Sequence, residues 1–127
     1  MKPELERQVV KTMLGVDGFM EGEGIFTDGP AWFVNGTQVA NFRDVGLALR
    51  LTRQVISAER ARLKADERVI LLRSGSDWIG IAVESRTDLE LLAELAELAA
   101  AAHRPPPGVA AKPPPTGADL ARRKRFH

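Results

Sequence analysis

Ala31-Trp32-Phe33-Val34-Asn35-Gly36-Thr37-Gln38-Val39-Ala40-Asn41-Phe42 consists of two apolar runs meeting at Asn-Gly. Asn and Gly tolerate the positive φ that a two-residue turn demands, so the segment predicts a tight antiparallel hairpin. Downstream, Val45, Leu47, Leu49 and Leu51 alternate with Gly46, Ala48 and Arg50. That period of two marks a strand with one face in a core. Arg68 to Leu72 and Trp78 to Val83 read as a second hairpin around the turn Ser74-Gly75-Ser76-Asp77.

Helical signals surround these strands. Pro3 suits a first helical position. Leu5, Val9, Val10 and Met13 form one apolar stripe, and Gly15 follows as a C-terminal stop, which predicts a helix over 3–14. Thr52 is a plausible N-cap for a helix reaching about Ala65, with a thin stripe of Val55, Ile56, Ala58 and Leu63. Thr87-Asp88-Leu89-Glu90 reads as a capping box opening a leucine-rich helix that ends near Ala102, before Pro105. Between the first helix and the hairpin, glycines at 15, 18, 22, 24 and 29 break any helix; Gly24-Ile25-Phe26 is read as a short strand and Asp28-Gly29-Pro30 as a turn. The spacing of Gly18, Gly22 and Gly24 fits neither a P-loop nor a dinucleotide fingerprint, and Glu21 and Glu23 would repel phosphate.

The pattern predicts an α+β domain over 1–103: an antiparallel sheet of about five strands with two or three helices packed on one face, in the order α-β-β-β-β-α-β-β-α. Residues 104–127 change in character. Two proline triplets, Pro105-Pro106-Pro107 and Pro113-Pro114-Pro115, exclude helix and central strand, and predict an extended tail or strap.

Composition narrows the chemistry. The chain has 127 residues, 44% hydrophobic and 28% charged, so one folded domain is expected rather than disorder. Cysteine is absent, and the two histidines, His103 and His127, fall late in the chain. Disulfides, thiolate metal sites, cysteine nucleophiles and a histidine-centred triad in the body are thereby excluded. No G-x-S-x-G occurs. No run approaches a membrane-spanning length, and Met1-Lys2-Pro3-Glu4-Leu5-Glu6 has no apolar signal core, so a cytoplasmic protein without membrane association is expected. No cofactor, metal ligand or catalytic residue is expected. The net charge of +1 conceals an asymmetry: residues 1–103 hold 12 basic and 16 acidic side chains, and residues 104–127 hold six basic and one acidic.

Three groups of residues could carry a function. Trp32, Asn41, Arg43 and Trp78 could line a ligand site between the sheet and its loops, although both tryptophans also suit a core. Arg50 precedes Arg53, Arg60 and Lys64, which share a helix face; with Arg122, Arg123, Lys124 and Arg125 of the tail they could track a polyanion, or simply be solvated. Glu90, Glu94 and Glu97 form an acidic stripe opposite the leucines, read as solvent-facing and as an electrostatic partner for the basic tail. The tail is accordingly expected to lie extended against the domain or against a second copy.

The run from Ala31 to about Pro107 resembles a small family of bacterial, largely actinobacterial, proteins labelled luciferase-family. The resemblance rests on Ala31-Trp32-Phe33-Val34-Asn35-Gly36 with Gln38-Val39-Ala40, the alternating strand and Thr52, Ala65-Asp66-Glu67-Arg68-Val69, Ser76-Asp77-Trp78-Ile79, the last helix and the proline-rich tail. It implies no assigned biochemical role. Better-populated branches of that family carry His-x-His after the hairpin strand and an Asp on the next strand; here Asn41, Arg43 and Ala48 stand at those positions, so no catalytic residue is carried over. The expectation is a non-catalytic binding or protein-interaction module, self-associating or binding another protein. The alternatives are a small-molecule-binding protein or weak enzyme with its site on the sheet face, and a nucleic-acid binder. A concave pocket with convergent polar groups would favour the small-molecule reading.

Overall fold

The computed structural model describes residues 1–115. Its core element is a six-stranded antiparallel sheet in the order β1-β2-β3-β4-β6-β5. The strands are β1 (Met20–Glu23), β2 (Pro30–Val34), β3 (Thr37–Arg43), β4 (Gly46–Arg50), β5 (Val69–Leu71) and β6 (Trp78–Ala82). Helix α1 (Pro3–Leu14) precedes them, α2 (Arg53–Ala58) and α3 (Arg60–Ala65) lie between β4 and β5, and α4 (Leu89–His103) closes the fold after a 3-10 turn at Arg86–Asp88. The predicted class and order hold, with six strands for the expected five and four helices for the expected two or three.

Asn35 and Gly36 take φ of 51° and 78°, the doubly left-handed conformation that matches the right-handed twist of the flanking strands. Pairing then sets the two faces of the sheet. One cross-strand row is Trp32, Ala40, Leu49, Ile79 and Leu71. Its first four members are fully buried, and they join Val9 and Met13 of α1, Ile56 of α2, Leu63 of α3 and Leu92, Leu95 and Ala99 of α4 in one core. The adjacent row points the other way, because side chains alternate along each strand. It runs Gly22, Ala31, Asn41, Ala48, Gly80 and Ile70 across all six strands. Five of those six are small or short, and no helix among the described residues covers them.

Several local expectations are corrected. The first strand is Met20–Glu23, not Gly24-Ile25-Phe26; those residues belong to a loop whose ends are joined by Gly24 N–H donating to the Gly29 carbonyl at 2.9 Å. Val45 lies in the turn before β4 and is exposed rather than buried. Gly15 ends α1 with φ of −77°, so it stops the helix without a left-handed cap. The single helix expected over 52–65 is broken at Glu59. The capping box at the last helix starts at Ser85 rather than Thr87, and Asp88 is its acidic member. Asp88 Oδ2 accepts from the backbone N–H groups of Glu84 and Ser85 at 2.9 and 3.1 Å, satisfying donors that would otherwise be orphaned at the helix entry.

The described part of the tail is a strap. Arg104 makes a two-pronged bond to Glu97, 2.9 Å on each prong, and donates to the Asp17 carbonyl. Further on, the Lys112 N–H donates to Asn35 Oδ1 at 3.0 Å. Pro114 and the Phe33 ring crowd Gly22 so closely that a Cβ there would stand about 3.0 Å from each. Of the acidic stripe, Glu97 thus meets the strap, while Glu94 pairs with Arg62 of α3 at 2.6 Å. Among the described residues, no helix is long and apolar enough to cross a membrane.

Candidate ligand-binding cleft

The uncovered half of the sheet is concave. Asn41, Ala48 and Trp78 form the floor of an open cleft of about 970 Å³. Phe26 and Thr27 bound it on the side of the 24–29 loop, Leu72, Arg73 and Ser76 on the side of the β5–β6 turn, and Arg43, Asp44 and Arg50 elsewhere on the rim. Phe26 is 71% exposed and Leu72 41% exposed, so two large apolar side chains stand in solvent at the edge of one depression. Isolated exposed apolar residues are ordinary; a concave cluster of them with polar groups beside it is the usual form of a binding site.

The loop wall is fixed from below. Gln38 is buried, and its Oε1 accepts from the Ile25 N–H at 2.6 Å. Its amide nitrogen reaches Asn41 Oδ1 at 3.4 Å, and Asn41 in turn donates to the Phe42 carbonyl at 3.1 Å. A buried polar chain of this kind holds both the loop and the Asn41 amide in place.

The opposite wall is fixed by Asp77. Its carbonyl accepts from the N–H groups of Leu51 and Thr52 at 2.9 and 3.0 Å. Its Oδ1 accepts from the Arg53 N–H at 2.9 Å, and its Oδ2 pairs with Arg50 at 3.3 Å. One residue therefore ties the end of β4 and the start of α2 to the strand that carries Trp78. Thr52 sits at that joint with φ of 84°, while its hydroxyl accepts from the Val55 N–H at 3.4 Å as the expected cap. Positive φ at a β-branched residue is strained by roughly 1–3 kcal/mol and persists only where surrounding bonds enforce it.

A second, smaller cleft of about 180 Å³ adjoins the first across Trp78. Arg53, Ser57 and Arg60 line it from the helical side, and Arg73, Ser74, Gly75 and Ser76 from the turn. Among the described residues, no carboxylate lines it.

Of the four residues expected to form a ligand site, the structure brings Asn41, Arg43 and Trp78 to the larger cleft. Trp32 is corrected: it lies on the helix-covered face, fully buried, with its ring edge-on to Phe42 at 5.2 Å. Of the basic residues, Arg50 lines the larger cleft and Arg53 and Arg60 the smaller one. Lys64, one turn further along α3 than Arg60, lines neither. Arg122, Arg123, Lys124 and Arg125 lie outside the described residues. Sequence reasoning missed Phe26, Leu72, Arg73 and Asp77. No local signal joins Asp77 to Arg53, 24 positions away.

Arg62, Arg68 and Arg104, away from the clefts, are occupied. Arg68 bridges Asp66 at 2.8 Å and Asp88 at 3.1 Å. Its guanidinium holds the Asp66 carboxyl down at about 2, against an ordinary 3.8. Burial pushes Asp88 up, but the Glu84 N–H, the Arg68 guanidinium and the Ser85 N–H together leave it below its ordinary value. Arg104 likewise lowers Glu97 by hydrogen bonding. By contrast, Arg43, Arg53, Arg60 and Arg73 have no carboxylate within 4.0 Å among the described residues, and all four border the two clefts. No group of three acidic, histidine or cysteine side chains placed to hold a metal occurs among the described residues.

Comparison with known proteins finds no matching family model, no matching curated protein and no matching solved structure.

Proposed function

We propose that the chain is a non-catalytic binding module whose ligand is a small organic anion with a flat apolar body, seated on the open face of the sheet. The observation that carries this reading is the cleft of about 970 Å³ in which Trp78, Phe26 and Leu72 stand beside Arg43, Arg50 and Asn41. The apolar side chains offer a surface that gains by losing water, and the arginines select an anionic group. The lining side chains include no histidine, cysteine or lysine, and their only carboxylate is that of Asp44. The Ser76 hydroxyl accepts from the Trp78 N–H at 3.1 Å and has no base beside it. This set binds and orients; it holds no nucleophile paired with a proton acceptor.

The test uses anilinonaphthalene sulfonate, whose fused ring and sulfonate match the two halves of the cleft. The native protein should bind one equivalent with enhanced dye fluorescence. Ala48→Phe, which fills the floor, and Trp78→Ala, which removes the floor's aromatic ring, should each weaken binding about tenfold or more, the range for losing one well-packed aromatic contact. Equal dye affinity in both variants and the wild type overturns the reading.

A further inference from the structure

We propose that the smaller cleft is a phosphate subsite of the larger one, and that the ligand is a nucleotide, a phosphate monoester joined to a flat aromatic ring. The inference rests on the binding reading above and names its ligand class.

The geometry runs from one cleft to the next. Trp78, Leu72, Arg73 and Ser76 line both. A ring laid on the larger floor against Trp78, with Phe26 at the far border, would have its substituent directed past Trp78 toward Arg53, Arg60 and Arg73. The smaller cleft, at about 180 Å³, has room for a phosphate group.

The chemistry of the lining is one-sided. Three guanidinium groups and the hydroxyls of Ser57 and Ser74 are donors facing a space that no carboxylate among the described residues lines. Of the two acids next to the lining residues in sequence, Asp77 is occupied by Arg50 and by the Arg53 backbone N–H, and Glu59 pairs with Arg62 at 3.7 Å, which leaves the Arg53 and Arg60 guanidinium groups without them. Elsewhere Arg62, Arg68 and Arg104 each meet a carboxylate at 3.1 Å or less. What marks this cleft is the convergence on it of three arginines without such a partner among the described residues. Planar guanidinium forks match the oxygens of a phosphate monoester, and their bonds to it are charge-assisted. Stacking on an aromatic side chain is tolerant of which base is present, so the pair of clefts selects the class before the base.

The experiment exploits the two tryptophans. Full-length protein labelled with nitrogen-15 gives two indole N–H signals, assigned by Trp78→Phe. Adenosine, adenosine monophosphate and inorganic phosphate are titrated separately. The monophosphate should move the Trp78 signal, leave the buried Trp32 signal in place, and bind about tenfold or more tighter than adenosine. Inorganic phosphate should compete with the monophosphate. Arg53→Gln with Arg60→Gln should erase the advantage of the phosphate, with an unchanged Trp32 signal reporting an intact fold. Equal affinities for adenosine and its monophosphate overturn the subsite and leave the larger cleft standing. No movement of Trp78 with either compound overturns the nucleotide assignment; the dye experiment then decides separately whether the cleft binds anything. Affinity for a thymidine octamer far above that for mononucleotides, with a steeper salt dependence, would also overturn it, in favour of single-stranded nucleic acid.

Discussion

The two faces of the sheet carry one tryptophan each and treat it in opposite ways. Trp32 is sealed in the core on the helix-covered face with no exposed surface, and its indole N–H has no acceptor among the described residues. Trp78 is half-buried and borders two clefts. Seven of the arginines divide along similar lines: Arg62, Arg68 and Arg104 tie helices, strands and strap together through acids, whereas Arg43, Arg53, Arg60 and Arg73 border the clefts with no acid paired to them among the described residues. The contrast separates side chains that hold the fold from side chains that the fold holds out. Charge counting over the sequence sees one population; pairing reveals two.

The largest expected effect belongs to the covered face. Leu95 is fully buried in the core, so Leu95→Ala should lower stability by about 2–5 kcal/mol in chemical denaturation. Arg53→Gln with Arg60→Gln should shift the same curve by less than about 0.5 kcal/mol per site, as for surface positions without structural partners. If the arginine variant were as destabilised as the leucine variant, the division into two populations would collapse.

An intermediate effect belongs to Asp88, which joins the helix entry to Arg68. Asp88→Ala should cost about 1–2 kcal/mol, the upper part of the range for a lost helix cap. The acid limb sharpens the point. Asp66 and Asp88 both have folded values below the ordinary 3.8, so their stabilising contribution is complete above that value. It is lost as pH falls through the folded values, toward about 2 for Asp66. Stability should therefore decline from about pH 4 downward, and Arg68→Met should flatten that decline. An acid limb of unchanged slope in Arg68→Met would show that the Arg68 bridge does not set it.

Much of this fold is legible locally. Asn35-Gly36 dictates a turn, and the alternation from Leu47 to Leu51 dictates a strand, because backbone sterics and burial act within a few residues there. Helix α1 falls within its predicted bounds for the same reason. β1 is not legible: Glu21 and Glu23 flank Gly22, and the strand is held by its pairing with β2, with Pro114 of the strap close to Gly22, rather than by its own apolar side chains. The capping box shifted because Asp88 has Arg68 to answer, a partner 20 positions away. The site was half legible for a related reason. Asn41, Arg43 and Trp78 were singled out as polar or aromatic residues on strands, but the face each one takes depends on register. Between β2 and β3 that register slips at Trp32/Phe33, leaving Val39 without an opposite residue. Arg73 and Asp77 lay in a stretch that composition reads only as a turn.

The row of short side chains across the open face has an evolutionary consequence. Ala48 and Gly80 are direct cross-strand neighbours, and both point away from the helices. The hollow above Ala48 is floored by short side chains. Adding a methyl or two at Ala48 would raise the floor without disturbing a single core contact beneath it. Fold and selectivity are thus inherited through separate sets of positions, and drift at one row can retune what fits while the other keeps the domain folded.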